Sequence, residues 1–196
     1  MKKKRKKKSH KKGWMGKILF SIVLIGIGAS LFFLFRQEIF DSIKPWFEKR
    51  GITREKKGIL LYFSDSEGEY LIGEKREILN RDEVEEEAKE TINEIIKGPK
   101  GKLIPTLPPQ TKLLSLELGE EGVAKVNFNK AFSKDHPGGS SAEMMTLYSV
   151  VNSLTLNFPQ IKSVQILIEG KAVETIAGHL SLKKPVSPNP NLIRRR

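Results

Sequence analysis

The residues best suited to chemistry lie in one short loop, DHPGGSS, where His136 follows Asp135. A histidine base with Ser140 or Ser141 as nucleophile would predict hydrolysis. Adjacent Asp and His side chains rarely face each other, however, and no separate acid or oxyanion hole is visible. The simpler interpretation is a turn followed by a helix, with Ser140 and Glu143 as an S-x-x-E capping box. An anion held by the amides at that helix start is a weaker alternative, because the loop has no phosphate-loop spacing.

Other candidate chemical groups are sparse. The carboxylates between positions 83 and 90 are interpreted as the solvated face of a helix, and His179 in AGHLSL as a strand-end residue. The chain has no cysteine, which excludes disulfides, Cys-ligated metals, a thiol nucleophile and a lipidated N-terminal Cys. With only three His and no nucleotide motif, we expect neither a metal site nor a cofactor, and not an enzyme.

Charge is distributed unevenly along the 196 residues, whose net charge is +12. Residues 1–17 carry +10 and residues 183–196 carry +5, whereas residues 57–182 carry −5. An acidic body repels phosphate backbones, so we expect no nucleic-acid partner for the part that folds.

A run of 18 uncharged residues, positions 18–35, follows the basic segment. A helix of that length spans roughly 27 Å, close to the thickness of a hydrocarbon core. Trp14 lies where an interfacial aromatic residue is typical. We therefore predict a transmembrane anchor from Ile18 to Phe35 in contact with membrane lipids. The alternative is a buried core helix, but a helix of a soluble protein should show a polar stripe, and only Ser21 and Ser30 interrupt this run.

The predicted anchor is uncleaved, because the run exceeds a signal-peptide core and no small-x-small site follows it. The more positive N-terminal side is expected in the cytoplasm, which places the domain outside the cytoplasmic (inner) membrane. In a further interpretation, the basic segment also contacts nucleic acid or an acidic protein. The predicted organisation is a cytoplasmic segment 1–17, anchor 18–35, juxtamembrane linker 36–58, domain 59–182 and disordered basic tail 183–196.

Paired strands around two helices make up the predicted domain. An Asn80–Glu83 capping box begins the first helix, which ends at Gly98. Its predicted core stripe is Val84, Ala88, Ile92, Ile95 and Ile96. Strands are predicted at 59–64, 70–73, 77–79, 114–118, 124–128, 164–168 and 173–177, and the second helix at 140–158. Leu114, Leu116 and Leu118 are expected to share one face, and GEEG to join their strand to the next in a hairpin. The expected class is α+β, with two helices packed on one face of a small, mostly antiparallel sheet and preceded by one transmembrane helix.

The order of these segments resembles the GerMN domain of bacterial spore-germination and sporulation proteins. The resemblance rests on LLYFSDSEGEYL, REIL, IIKGP, LIPTLPPQTKLLSLEL, GVAKVNFNKAF, GGSSAE, VVNSLTLNFPQIKSVQILIEGK and ETIAGHLSL. It implies a non-enzymatic, extracytoplasmic module held at a membrane by a lipid or a helix. The sporulation member acts in the envelope machinery between mother cell and forespore, and its fold is similar to ring-building domains of secretion systems. This chain departs from that member in having one copy of the domain and no lipidation Cys.

The predicted function is that of a structural or interaction module of the bacterial envelope, which contacts other envelope proteins or itself. Contacts are expected at sheet edges or at the apolar loop 103–109, whose Leu and Pro residues are predicted to be exposed, through Leu103, Ile104, Leu107 and Pro108. A rival hypothesis is a module that binds peptidoglycan and assists wall remodelling. An enzyme that uses His136 and Ser141 is the third.

Overall fold

The computed structural model of the protein describes residues 17–26, 30 and 55–194. Residues 17–26 are helical, and Ile18 among them is 42% exposed. Trp14 and Phe35, which the sequence places at the ends of an anchor, lie outside the described residues. Within the described ranges, no helix combines the length and the apolar character required to cross a membrane. The chain divides into two units, Met1–Thr53 and Arg54–Arg196.

The second unit begins with an antiparallel hairpin of β1 (Lys56–Ser64) and β2 (Leu71–Leu79). Asp65 shapes the turn between them, because its Oδ1 accepts hydrogen bonds from the N–H groups of Glu69 (3.0 Å) and Tyr70 (3.3 Å). The strand predicted at 59–64 is confirmed and begins three residues earlier, inside the predicted linker. The candidates at 70–73 and 77–79 are parts of one strand.

Charged residues in the middle of β2 explain why the sequence suggested a break there. Glu74 and Arg76 share one side of the strand, and Arg76 Nε donates to Glu74 Oε1 at 2.7 Å. Arg76 also donates to Glu94 (2.9 Å) and to the Gly98 carbonyl (2.8 Å), and its side chain is 2% exposed. Because the buried guanidinium is paired and hydrogen-bonded, the strand can continue through these charges.

Helix α1 (Val84–Ile96) carries the predicted core stripe, with Ala88, Ile92 and Ile95 buried. The predicted Asn80–Glu83 capping box is wrong. Glu83 is the N-cap residue itself and makes no side-chain capping bond.

The carboxylates of α1 are less solvated than predicted. Glu87 is 3% exposed and binds Lys57 Nζ at 2.7 Å and the Arg81 N–H at 3.0 Å. Burial alone would raise the pKa of Glu87, but these partners outweigh it and hold that pKa below its usual value. Glu85 accepts a bond of 2.8 Å from the Leu118 N–H. The acids of α1 therefore connect the helix to both sheets.

A second sheet contains, in spatial order, β3 (Leu113–Leu118), β4 (Val123–Phe128), β5 (Ser163–Ile168) and β6 (Lys171–Ala172). Its outer pairs are antiparallel, whereas β4 and β5 are parallel and are connected through α2 (Ala131–Lys134) and α3 (Ser140–Thr155). The class α+β is confirmed, but the expected single sheet is wrong, because the β1–β2 hairpin forms a sheet of its own. The strand predicted at 173–177 is wrong, because pairing with β5 involves only Lys171 and Ala172.

A bulge changes the predicted face of β3. The register shifts between Leu113 and Ser115, so Leu113 packs on the core and Leu114 is 49% exposed. The β3–β4 hairpin is confirmed, but Leu114 does not share the buried face of Leu116.

Helix α3 covers the free edge of β1 with polar side chains. Ser149 Oγ donates to the Tyr62 carbonyl, and Ser153 Oγ accepts from the Tyr62 N–H at 3.1 Å. Asn157, one turn further along the chain, accepts from the Leu60 N–H (2.9 Å) and donates to the Leu60 carbonyl (2.7 Å). These three residues recur every four positions and so lie along one face. The hairpin edge is satisfied by a helix instead of another strand, which explains the two separate sheets.

Residues 183–194, here called the C-terminal strap, pack on the domain. Val186 exchanges two backbone bonds with Val164 (2.9 and 2.8 Å), and Asn189 binds the side chain of Asn152. The Arg194 N–H donates to the Leu71 carbonyl at 3.0 Å. The predicted disorder is therefore wrong for these residues. Main-chain bonds to existing strand edges, which hydropathy does not report, hold the strap in place.

Candidate binding groove

A groove of about 580 Å³ lies where three segments of the domain meet. They are the β1–β2 turn, the Pro-rich loop before β3, and the DHPGGSS loop with the first turns of α3. The sequence had singled out the last two. Apolar side chains line most of the groove: Ile104, Pro105, Leu107, Pro108, Pro109, Pro137, Ala142 and Met145.

The four predicted contact residues differ in exposure. Ile104 is 46% exposed, and Leu103 is half-buried and packs against the core. Leu107 and Pro108 are buried, so the prediction that they are exposed is wrong. Both still line the groove wall, because the loop folds back over α3. Ile104 is thus the one of the four that offers a broad apolar surface.

Hydrogen bonds to β1 and α3 fix the position of the Pro-rich loop. The Ile104 N–H donates to the Ser64 carbonyl at 2.9 Å. Thr106 Oγ1 donates to Ser149 Oγ at 2.7 Å, and the Thr106 carbonyl accepts from Thr146 Oγ1. Since these groups are buried, each bond would be costly to break, and the groove is formed before any ligand arrives.

Hydrogen bonds within this framework hold both nitrogens of the His136 ring. Nδ1 accepts from the Gly138 N–H at 3.0 Å, which makes Nε2 the donor to Thr146 Oγ1, also at 3.0 Å. Burial lowers the pKa of His136, although the nearby Glu143 carboxylate opposes the shift. Among the described residues, neither Ser140 nor Ser141 forms a hydrogen bond with the ring. The predicted alternative of a His–Ser pair is not assembled in this geometry.

Carboxylates form the polar rim of the groove, namely Asp65, Glu67 and Asp135. Asp65 Oδ2 lies 3.6 Å from Arg194 Nη1, whose guanidinium stacks on the Tyr70 ring at 4.1 Å. Burial by itself would raise the pKa of Asp65, but the turn amides and Arg194 outweigh it and lower that pKa. Arg194 offsets the charge of Asp65, and the lining described here contains no lysine or arginine beside Glu67 and Asp135, so the rim keeps a negative charge at neutral pH.

A buried carboxylate beside the groove was missed by sequence reasoning. Glu143 is 0% exposed and accepts bonds from the backbone N–H groups of His179 (3.1 Å) and Leu180 (3.1 Å). His179 Nδ1 lies 2.8 Å from Glu143 Oε1. Burial opposes ionisation, yet the His179 ring and these amides together hold the pKa of Glu143 below its usual value.

The Glu143 contacts overturn two predictions. Glu143 does not cap α3, whose N-cap residue is Gly139 with a φ of 88° and no side-chain capping bond. His179 does not end a strand but binds the start of α3. An acid three residues after a serine is compatible both with a capping box and with a buried carboxylate that binds a distant segment. The local pattern could therefore not distinguish the two.

A second, wider depression of about 880 Å³ lies on the outer face of the β1–β2 hairpin. Lys56, Lys75 and Lys100 line it together with Glu77, and Gly58 leaves its floor open. It is basic where the groove is acidic. Within the described residues, no group of His, Asp and Glu side chains could hold a metal ion.

Together, these observations give an α+β domain with an apolar groove where the β1–β2 turn, the Pro-rich loop and the start of α3 meet. The chain belongs to the family described as "Germane: Sporulation and spore germination", whose profile matches residues 60–174. The predicted resemblance is confirmed.

Solved structures agree with this assignment. A candidate lipoprotein from Clostridium perfringens is 29% identical, with a TM-score of 0.51, over 71% of this chain and 93% of that one. The tandem GerMN domains of the sporulation protein GerM from Bacillus subtilis are 17% identical, with a TM-score of 0.53. That match covers 70% of this chain and 48% of the tandem chain. The first GerMN domain of GerM alone is 18% identical, with a TM-score of 0.50, over 71% and 98% of the two chains. No curated protein matches the chain significantly.

Proposed function

We propose that this protein is a membrane-anchored, extracytoplasmic interaction module of the bacterial envelope, acting in sporulation or germination. The module holds a segment of another envelope protein in its groove and performs no chemistry on it. The main support for this proposal is the groove itself, which is preformed, mostly apolar and rimmed by Asp65, Glu67 and Asp135. Family membership supports the sporulation or germination context.

Membrane attachment is supported by the uncharged run 18–35 and by the similarity to a candidate lipoprotein. A periplasmic or extracellular reporter fused after Arg196 should be active in cells, because the more positive N-terminal side stays in the cytoplasm. Activity of a cytoplasm-only reporter at the same position would refute this orientation. It would not bear on whether the groove binds a partner.

The chemistry of the groove indicates what kind of segment would bind. Prolines, Ile104 and Met145 offer apolar contact, and the acidic rim attracts cationic side chains. The preferred ligand is therefore an extended polypeptide with apolar residues next to Lys or Arg. Binding such a segment requires no proton transfer, which agrees with the hydrogen bonds that occupy both ring nitrogens of His136.

Site-specific photo-crosslinking in intact cells tests the proposal. A photo-reactive residue at Ile104 should capture a discrete partner, and one at Leu114 should not, although the two native side chains are similarly exposed at 46% and 49%. Adding Ile104→Asp to a probe at Pro109 should abolish the capture, whereas Leu114→Asp should leave it intact. Equal labelling from the Ile104 and Leu114 probes would refute the groove as the binding site.

Peptidoglycan remains the rival ligand, and the groove disfavours it on one point. Sugar rings usually stack on aromatic side chains, and the described lining of the groove contains none. Sedimentation of the full chain with purified sacculi, compared with the Ile104→Asp variant, decides between them. Sedimentation that depends on Ile104 would establish the rival.

A further inference from the structure

The outer edge of β2 exposes main-chain groups that nothing else in the described part of the protein binds. The Asp65 N–H bonds to the Tyr70 carbonyl (2.9 Å), and the Asn80 N–H bonds to the Glu55 carbonyl (2.8 Å) at the other end of the hairpin. Antiparallel pairs alternate between bonded and non-bonded, so the register between these two ends is fixed. It directs the N–H and C=O groups of Gly73, Lys75 and Glu77 away from β1.

Other strand edges in the described residues are occupied, distorted or, in the case of the two-residue strand β6, too short. The β1 edge is covered by α3, and the strap binds one end of β2 at the Leu71 carbonyl. At the other end of β2, the Leu79 N–H donates to Glu90 Oε1 of α1 at 3.3 Å. On β3 a bulge disturbs the edge, and Glu85 binds its last amide. The segment from Gly73 to Glu77 is therefore the place where a further strand could be added with regular bonds.

Side chains along this edge are complementary to a second copy of the same edge. Lys75 and Glu77 lie on the outer face and are exposed, Glu77 by 63% of its side chain. When two β2 strands pair antiparallel about Arg76, Lys75 of each copy lies opposite Glu77 of the other. Shifting the centre to Lys75 or to Glu77 would place like charges opposite each other, which is unfavourable. Charge on the outer face therefore favours the register centred on Arg76 over these two. In that register Arg76 lies opposite Arg76 of the other copy, but each guanidinium is already paired with Glu74 and Glu94 of its own chain.

The same register also fits in shape. It places the partly exposed Leu79 of one copy opposite Gly73 of the other. Gly73 has no side chain, and the Leu60 side chain lies so close to it that a Cβ there would be 3.0 Å from Leu60. The partner's Leu79 would therefore contact Leu60, and this contact would cover apolar surface of both. A lysine in an edge strand commonly discourages pairing, but here the partner's Glu77 would neutralise it.

We propose that two copies of this protein associate through β2, forming a continuous four-stranded sheet around a two-fold axis. The inference rests on the proposed role as an interaction module and names one partner of it, a second copy, on a surface separate from the groove. Such an isologous interface closes on itself and forms a dimer, not a filament.

Charge exchange on the full-length chain tests the proposal. Lys75→Glu and Glu77→Lys each place like charges opposite each other twice, so each variant alone should dimerise at least about tenfold more weakly than the unaltered chain. Mixing the two restores both opposite-charge pairs and should restore association, as should the double variant K75E/E77K. Lys171→Glu, an exposed lysine in the edge strand β6, is the matched control and should behave as the unaltered chain.

Sedimentation of the detergent-solubilised chain over a concentration series gives the readout, with circular dichroism to check folding. A monomeric unaltered chain, single variants that dimerise normally, or a mixture that stays monomeric would each overturn the β2 dimer. Groove capture through Ile104 is measured separately. Loss of the dimer with capture intact therefore rejects this inference alone, and the reverse result rejects the groove.

Discussion

Replacing Glu143 by Gln is the sharpest test of how the domain holds its last segment. The substitution keeps the size of the side chain but removes its charge. In the native protein, the carboxylate accepts bonds from the N–H groups of His179 and Leu180 and faces the His179 ring. An amide oxygen can accept some of these bonds, but the NH₂ group beside it repels the remaining donor.

The expected loss is about 2–4 kcal/mol of unfolding free energy. A hydrogen bond to a charged acceptor contributes about 1.5–3 kcal/mol, and a buried donor left unpaired costs about 1–3 kcal/mol. The expected loss comes from the two main-chain hydrogen bonds to the fully buried carboxylate. The His179 ring adds little, because its side chain is 50% exposed and solvent weakens the pair.

Acid should remove the same contribution from the native protein. The pKa of Glu143 is lower in the folded than in the unfolded chain. Its stabilisation is therefore complete above the unfolded value of about 4.3 and is lost as the pH falls through the folded value. The unaltered chain should lose more stability than the Glu143→Gln variant across that window.

Urea unfolding of the full chain, followed by circular dichroism at neutral and acidic pH, measures both effects. Hydrogen exchange should show faster exchange at the His179 and Leu180 amides in the variant. Glu120→Gln, at an exposed position, is the control. A change below about 0.5 kcal/mol with both amides still protected would refute the reasoning, because that is the usual effect of a surface substitution.

Two further predictions concern buried charge and the strap. Arg76→Met should lower the unfolding free energy by about 3–5 kcal/mol, because it leaves Glu74 and Glu94 without their shared cation; a change under about 1 kcal/mol in urea unfolding would contradict that. A chain ending at Leu182 should show a lower thermal midpoint and faster hydrogen exchange at Val164, whose amide the strap binds. Unaltered exchange at Val164 would mean that the strap does not hold that edge in solution.

Local patterns predicted most elements of the fold. The spacing of Ala88, Ile92 and Ile95 located α1, and turn residues located the β3–β4 hairpin. Both elements depend on local periodicity and turn residues, which can be recognised from residues close together in the sequence. The break predicted in β2 was wrong because the partners of Arg76, Glu94 and Gly98, lie on a different element.

The sequence also picked out two of the three segments that form the groove, from their Pro, Gly and Ser content. It could not show that they meet, or that Leu107 turns inward while Ile104 stays exposed. The bulge that exposes Leu114 was hidden in the same way, since an alternating pattern does not report a shift of register.

The sequence by itself determined the family, the α+β class and the uneven charge of this protein, because those depend on residue types and short-range periodicity. Tertiary structure decided where each polar group finds its partner. Glu143 meets His179 across 36 positions, and the edge of β1 meets Asn157 across 97. A buried polar group stabilises the fold only when a distant segment supplies its hydrogen-bond partner, and only the folding of the chain brings the two segments together.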